Sequence, residues 1–159
     1  MMQTPLDTRI PAARRLRFFV VLFTGTFVLN WFWEMLQMRA YSGLETISWR
    51  EAAPGCTMAA LGDVGISVVL YGIGALAAGR LLWAAKNSWN VYCALALLAL
   101  CYAALTERYA LASHRWSYNH TMPIVPLLNI GLWPLLQLMV LVPLTTRISV
   151  FWLPRSKAR

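Results

Sequence analysis

Three acids stand inside apolar stretches of this chain, Glu34, Asp63 and Glu107. A carboxyl group surrounded by hydrocarbon can pass a proton, hold a cation or bond a neighbouring segment. Asn30, Glu34 and Gln37 follow at i, i+4 and i+7, so a helix carries them on one face. Asp63, Ser67 and Tyr71 repeat a spacing of four, and so do Asn129, Trp133 and Gln137. These groups need a scaffold that brings four separate segments to one depth.

The depth can be counted from the outer end of each apolar run. At about 1.5 Å per residue, Glu34, Asp63, Glu107 and Asn129 each fall roughly 7–10 Å deep. Each run is therefore expected to offer one polar group to a shared layer, with Trp33, Trp116, Trp133 and Gln137 beside it. Three ionised carboxylates in one apolar layer would repel, so at least one proton or a cation is expected among them. Arg108 follows Glu107 directly and is expected to turn away and snorkel outward. Polar side chains can also serve only to tie helices together. That reading suits Ser67, Asn129 or Gln137 taken singly, and suits three like charges less well. His114 and His120 read as exposed loop residues. Trp31, Trp33 and Trp133 either face lipid or wall a cationic intermediate.

The scaffold follows from hydropathy. The 159 residues are 59% hydrophobic and 13% charged, against about 25% charged in a soluble domain. The apolar runs are 18–38, 56–84, 90–112 and 122–150, each long enough to cross a hydrocarbon core of about 30 Å. The expected fold is all-α, a polytopic membrane four-helix bundle in a single transmembrane domain. Glycines in the second run suit close helix approach, and Pro126, Pro134 and Pro143 suit kinks in the fourth. The net charge of +8 comes from bases at the ends and in short gaps rather than on one soluble face, so no nucleic-acid partner is expected. Arg9, Arg14, Arg15 and Arg17, then Arg80 and Lys86, then Arg147, Arg155, Lys157 and Arg159 alternate with less basic loops. By the positive-inside rule both termini are cytoplasmic, in a bacterial inner membrane. Trp49, Trp116 and Tyr118 suit the outer interface, and Trp83, Trp89 and Trp152 the inner one.

Arg14-Arg15 before Phe18 has the look of a twin-arginine signal. The run continues through Asn30 to Gln37 without a small-x-small cleavage site, so a retained first helix is expected. Cys56, Cys93 and Cys101 form no disulfide framework or zinc spacing. Gly72-x-Gly74 lies in a membrane run without the strand context of a nucleotide fold. No phosphate loop or serine triad is present, and neither metal nor cofactor is expected.

Read together, Asn30-x-x-Trp33-Glu34-x-x-Gln37, Gly62-Asp63, Glu107 with Arg115-Trp116-x-Tyr118, Met122-Pro123 and Gly131-Leu132-x-Pro134-Leu135-Leu136-Gln137 form a pattern. It resembles a group of small bacterial four-helix integral membrane proteins, over nearly all four runs, and imports no activity. A second, local resemblance is to the integral-membrane terpene cyclases of meroterpenoid pathways. They also carry Asn-x-x-Trp-Glu on a membrane helix, and the resemblance implies that Glu34 acts in acid catalysis. Their second acid has no fixed counterpart here; Glu107 or Asp63 could fill the place.

Three functions fit these features. The first is an enzyme acting on a lipid-soluble, isoprenoid-like substrate, a cyclase or isomerase with Glu34 as acid and Asp63 and Glu107 as partner or base. Asn30, Asn129 and Gln137 would then orient substrate. The second is an ion- or proton-coupled transporter or cation-binding protein, which with four spans needs a homodimer. The third is a non-catalytic membrane subunit whose polar layer grips a partner span.

Overall fold

A computed structural model describes residues 11–86 and 88–153. Arg9, Arg155, Lys157 and Arg159, on which part of the charge argument rests, lie outside the described residues. Among the described residues, four helices are long and apolar enough to cross a membrane. They are α1 (Ala12–Gln37), α2 (Trp49–Ala78), α3 (Trp89–Ala112) and α4 (Leu132–Phe151). The chain is an all-α four-helix bundle of the multi-pass membrane type. Helix α4 packs against both α1 and α3, and α1 also packs against α2. Contact between α2 and α3 is sparse, so the ring of helices is loosest along that seam.

Local chemistry sets the helix limits. Ser48 and Glu51 form a capping box, in which Ser48 accepts from the Glu51 backbone N–H while the Glu51 carboxylate accepts from Ser48 N over 3.1 Å. That cap starts α2 at Trp49, seven residues before the apolar run at position 56, and Pro54 lies inside the helix. At the other end Gly79 takes φ 63°, and Arg80 N reaches back to Ala75 O over 3.1 Å. This left-handed close ends α2 at Ala78. Trp83–Lys86 then forms a separate 3-10 turn rather than the end of the second span.

The fourth span is also shorter than its apolar run. Residues before Leu132 form a small hairpin, β1 (Ile124–Val125) against antiparallel β2 (Ile130–Gly131). Its turn holds Asn129 at φ 51°, with Asn129 N donating to Val125 O over 2.8 Å. Pro126 belongs to this turn rather than to a kinked helix.

The bundle has an apolar core that includes Phe18, Leu22, Leu70, Tyr71, Leu95 and Leu138. Trp83 belongs to this core, at 9% exposure, and is no interfacial anchor. Its Nε1 donates to Tyr71 O over 3.2 Å, and its indole lies where a side chain on Gly74 would stand. Base–aromatic pairs mark both ends of the bundle. Arg39 lies over Trp49 and Arg115 over Trp116 at one end, with Arg17 over Trp152 and Arg147 over Trp89 at the other.

Candidate functional site

Helix α1 supplies Asn30, Glu34 and Gln37 on one buried face, and α4 brings Gln137 against them. Gln37 Nε2 donates to Gln137 Oε1 over 2.8 Å and to Glu34 Oε1 over 3.0 Å. Gln137 Nε2 in turn lies 3.0 Å from Asn30 Oδ1, 2.9 Å from Glu34 Oε1 and 2.8 Å from Asp63 Oδ2. Trp33 Nε1 donates to Gln37 Oε1 over 3.1 Å, and Asn30 Nδ2 donates to Thr26 O over 2.8 Å. The donors and acceptors balance. The two Gln37 hydrogens serve Gln137 and Glu34, leaving the two of Gln137 for Asn30 and Asp63. The network joins three helices, with α2 entering it through Asp63.

Glu34 and Asp63 each commit one oxygen to this network. Their other oxygens have no hydrogen-bond partner among the described residues. Both residues line a cavity of about 750 Å³. Because Glu34 Oε1 and Asp63 Oδ2 share one nitrogen, they lie within about 6 Å of one another.

Glu107 lines the same cavity from α3, apart from that pair. Its Oε2 accepts from the Tyr118 hydroxyl and from Trp116 Nε1, the latter over 3.2 Å. Arg108 faces outward as expected, with Nη1 3.5 Å from Leu128 O in the hairpin.

The loops that follow α1 and α3 roof the chamber. Ser42 N donates to Ser117 O over 2.9 Å, Asn119 N donates to Ala40 O over 3.0 Å, and Tyr41 pairs with Tyr118. The Asn119 side chain fastens them, donating to Arg39 O over 2.6 Å and accepting from Thr121 N over 2.9 Å. Below the roof the Tyr118 ring rests on Gly131, where an added Cβ would stand 3.0 Å from Cζ. Burial, then the hydrogen bond to Glu107, holds the Tyr118 hydroxyl well above the usual tyrosine range. Burial, then the charges of Glu107 and Glu34, does the same to Tyr41. Both phenols therefore stay neutral. Exposed Ser42, His114, Arg115 and Ser117 form the polar rim. A smaller chamber of about 250 Å³ adjoins between α1 and α2, also touching Glu34 and Tyr41.

The structure thus gathers Asn30, Glu34, Gln37, Asp63 and Gln137, sets Glu107 and Trp116 on the same cavity, and holds Trp33 behind Gln37. It does not bring in Asn129 or Trp133. Asn129 is exposed in the hairpin turn, because the fourth helix begins three residues after it. Trp133 is 38% exposed on the outward side of α4 and lines no part of the cavity. All three acids line one cavity; Glu34 and Asp63 share one amide there, while Glu107 is held by Trp116 and Tyr118. No three His, Cys, Asp or Glu side chains among the described residues converge closely enough to hold one metal ion.

The sequence expectations did not include Tyr41, which lies beyond the end of α1, past a 3-10 turn at Met38–Ala40, where helical spacing gives no signal. Comparison with protein-family models, with curated proteins and with solved structures gave no match.

Proposed function

We propose that this chain is an integral membrane enzyme that acts on a lipid-soluble, isoprenoid-like substrate by carboxylic acid–base catalysis. One observation carries the reading. Glu34 and Asp63 are held by a single amide and keep an oxygen each toward a cavity that Glu107 shares. A volume of about 750 Å³ lies within the range of small-molecule sites.

In this reading Glu34 is the acid. Two neighbouring carboxylates in an apolar chamber favour sharing one proton over carrying two charges. The proton goes from Glu34 to an alkene, epoxide or carbonyl carbon or oxygen of the substrate. Asp63 stays ionised beside it and stabilises the positive charge that develops. Glu107, which lines the same cavity, is the base that takes a proton back, with its Oε2 held by Trp116 and Tyr118. The indole of Trp116 and the ring of Tyr41 supply aromatic faces near the cation. Gln37 and Gln137 fix the geometry of both acids and are positioning residues.

A cation-binding or transport function has less support. Hard cations take six or more oxygen ligands, and the acids here are divided between two places. A purely adhesive role leaves the cavity and the free carboxylate oxygens without a purpose.

The membrane address belongs to the same proposal, an inner membrane with both termini cytoplasmic. Arg14, Arg15, Arg17, Arg80 and Arg147 lie at the inner end, while Glu45 and Glu51 lie at the outer. Lipid-extract mass spectrometry of cells with the wild-type chain, without it and with Glu34→Gln tests the activity. Protease access to terminal tags in spheroplasts tests the orientation.

A further inference from the structure

The acid cavity does not end at a closed wall. Ala59 and Gly62 of α2 line it and are exposed, in a span long and apolar enough to cross a membrane. Facing them across the seam is Thr106 of α3. Farther in along the same seam lies a second cavity of about 350 Å³, lined only by apolar and glycine residues of α2, α3 and the turn between them. Its walls include Leu70, Ile73 and Ala77 on one helix and Leu95 and Leu98 on the other.

The two cavities occupy continuous helix faces. On α2, Gly62, Ile66, Leu70, Ile73 and Ala77 advance by three or four residues, one turn at a time. On α3, Thr106, Ala103, Leu98 and Leu95 run the opposite way beside them. The floor of the inner cavity is Trp83, whose one polar atom is spent on Tyr71 O. From Asp63 to Ala77 the seam extends about 21 Å, room for a tail on the order of 15 carbons.

We propose that the substrate is a long single-chain amphiphile that enters from the bilayer between α2 and α3. Its polar or reactive end lies among Glu34, Asp63 and Glu107, and its hydrocarbon tail lies along the seam down to Trp83. This rests on the enzyme reading above and adds the substrate class and the direction of entry. The sparse packing of α2 on α3 is what such a route requires. A water-soluble substrate would need no apolar extension and no opening toward lipid.

The test is photolabelling in phospholipid nanodiscs with a C20 isoprenoid alcohol that carries a diazirine at its tail end. Crosslinked residues are then read by peptide mass spectrometry. Label is expected on the segments around Leu70–Ala77 and Ala94–Leu98. Ala94→Trp and Ala77→Trp should each abolish it by filling the inner cavity. Both positions are exposed, so the larger side chain can be accommodated, and thermal melting in detergent checks folding. Leu97→Trp, on the outward face of α3, should leave labelling unchanged. Label spread equally over Val28, Leu144 and the seam, or label indifferent to both filling variants, would overturn the proposal. Glu34→Gln separates the two claims. Seam labelling with a lipid profile that ignores Glu34→Gln keeps the tail site and removes the catalysis. A profile that depends on Glu34, with no preference for the seam, does the reverse.

Discussion

Gln37 donates to the side-chain oxygen of Gln137 over 2.8 Å, across 100 positions of sequence. This one bond ties α1 to α4 and orients both amides. With its oxygen accepting from Gln37, Gln137 must turn its nitrogen toward Asn30, Glu34 and Asp63. The amide pair therefore acts as a jig for the two acids.

Gln137→Leu should cost about 1–3 kcal/mol, because it leaves acceptors on α1 and α2 without their donor. Detergent-solubilised protein should melt earlier. Gln37→Leu should do the same, and the double variant should lose less than the two single losses together. Strict additivity would show that the two amides are not coupled.

Gly74 is set by Trp83. A Cβ at Gly74 would stand 2.0 Å from the indole Cζ2. Gly74→Ala should push Trp83 out of its bond to Tyr71 O and cost about 1–3 kcal/mol as overpacking. Trp83→Ala should remove that added cost, so the alanine at 74 becomes nearly neutral in its background. Thermal melts of the four proteins decide this.

Tyr41 makes the alkaline side of the stability curve informative. Its ionisation is pushed up on folding, so the folded state holds the phenolic proton more tightly than the unfolded chain. The associated stability is complete below about pH 10, the unfolded tyrosine value, and is lost as pH rises past it. Tyr41→Phe should leave melting at neutral pH little changed and reduce the loss of stability above pH 10. Equal alkaline loss in both proteins would contradict the burial of this hydroxyl under the outer loops.

Asn129 provides a test of the corrected fourth span. Its left-handed backbone favours Asn or Gly, and a β-branched side chain there costs about 1–2 kcal/mol. Asn129→Gly should be tolerated and Asn129→Val should destabilise, while neither should alter a lipid product made at the cavity. A specific loss of product in Asn129→Gly, with normal melting, would return this residue to the site.

The bundle was legible because four apolar runs of sufficient length admit few other arrangements in lipid. Glu34 with Asn30 and Gln37 was legible from helical spacing alone. The errors lie where hydropathy is silent about backbone shape. The run 122–150 is predominantly apolar, yet Pro123, Pro126 and Asn129 serve a hairpin of two-residue strands, too short for any periodicity. The run 56–84 likewise passes over Gly79, whose left-handed turn ends the helix and frees Trp83 to fold back into the core. Depth counting put all three acids in one layer, and they line one cavity; which of them share an amide depends on how each helix is rotated, which height alone does not give.

In the proposed function, Glu34 does chemistry on a lipid. The most direct test compares lipid extracts by mass spectrometry from cells that carry no chain, the wild type or Glu34→Gln, with membrane insertion checked in each. A terpenoid or other lipid species should change with the wild type and revert in Glu34→Gln. Identical lipid profiles from wild type and Glu34→Gln, both fully inserted, would contradict it.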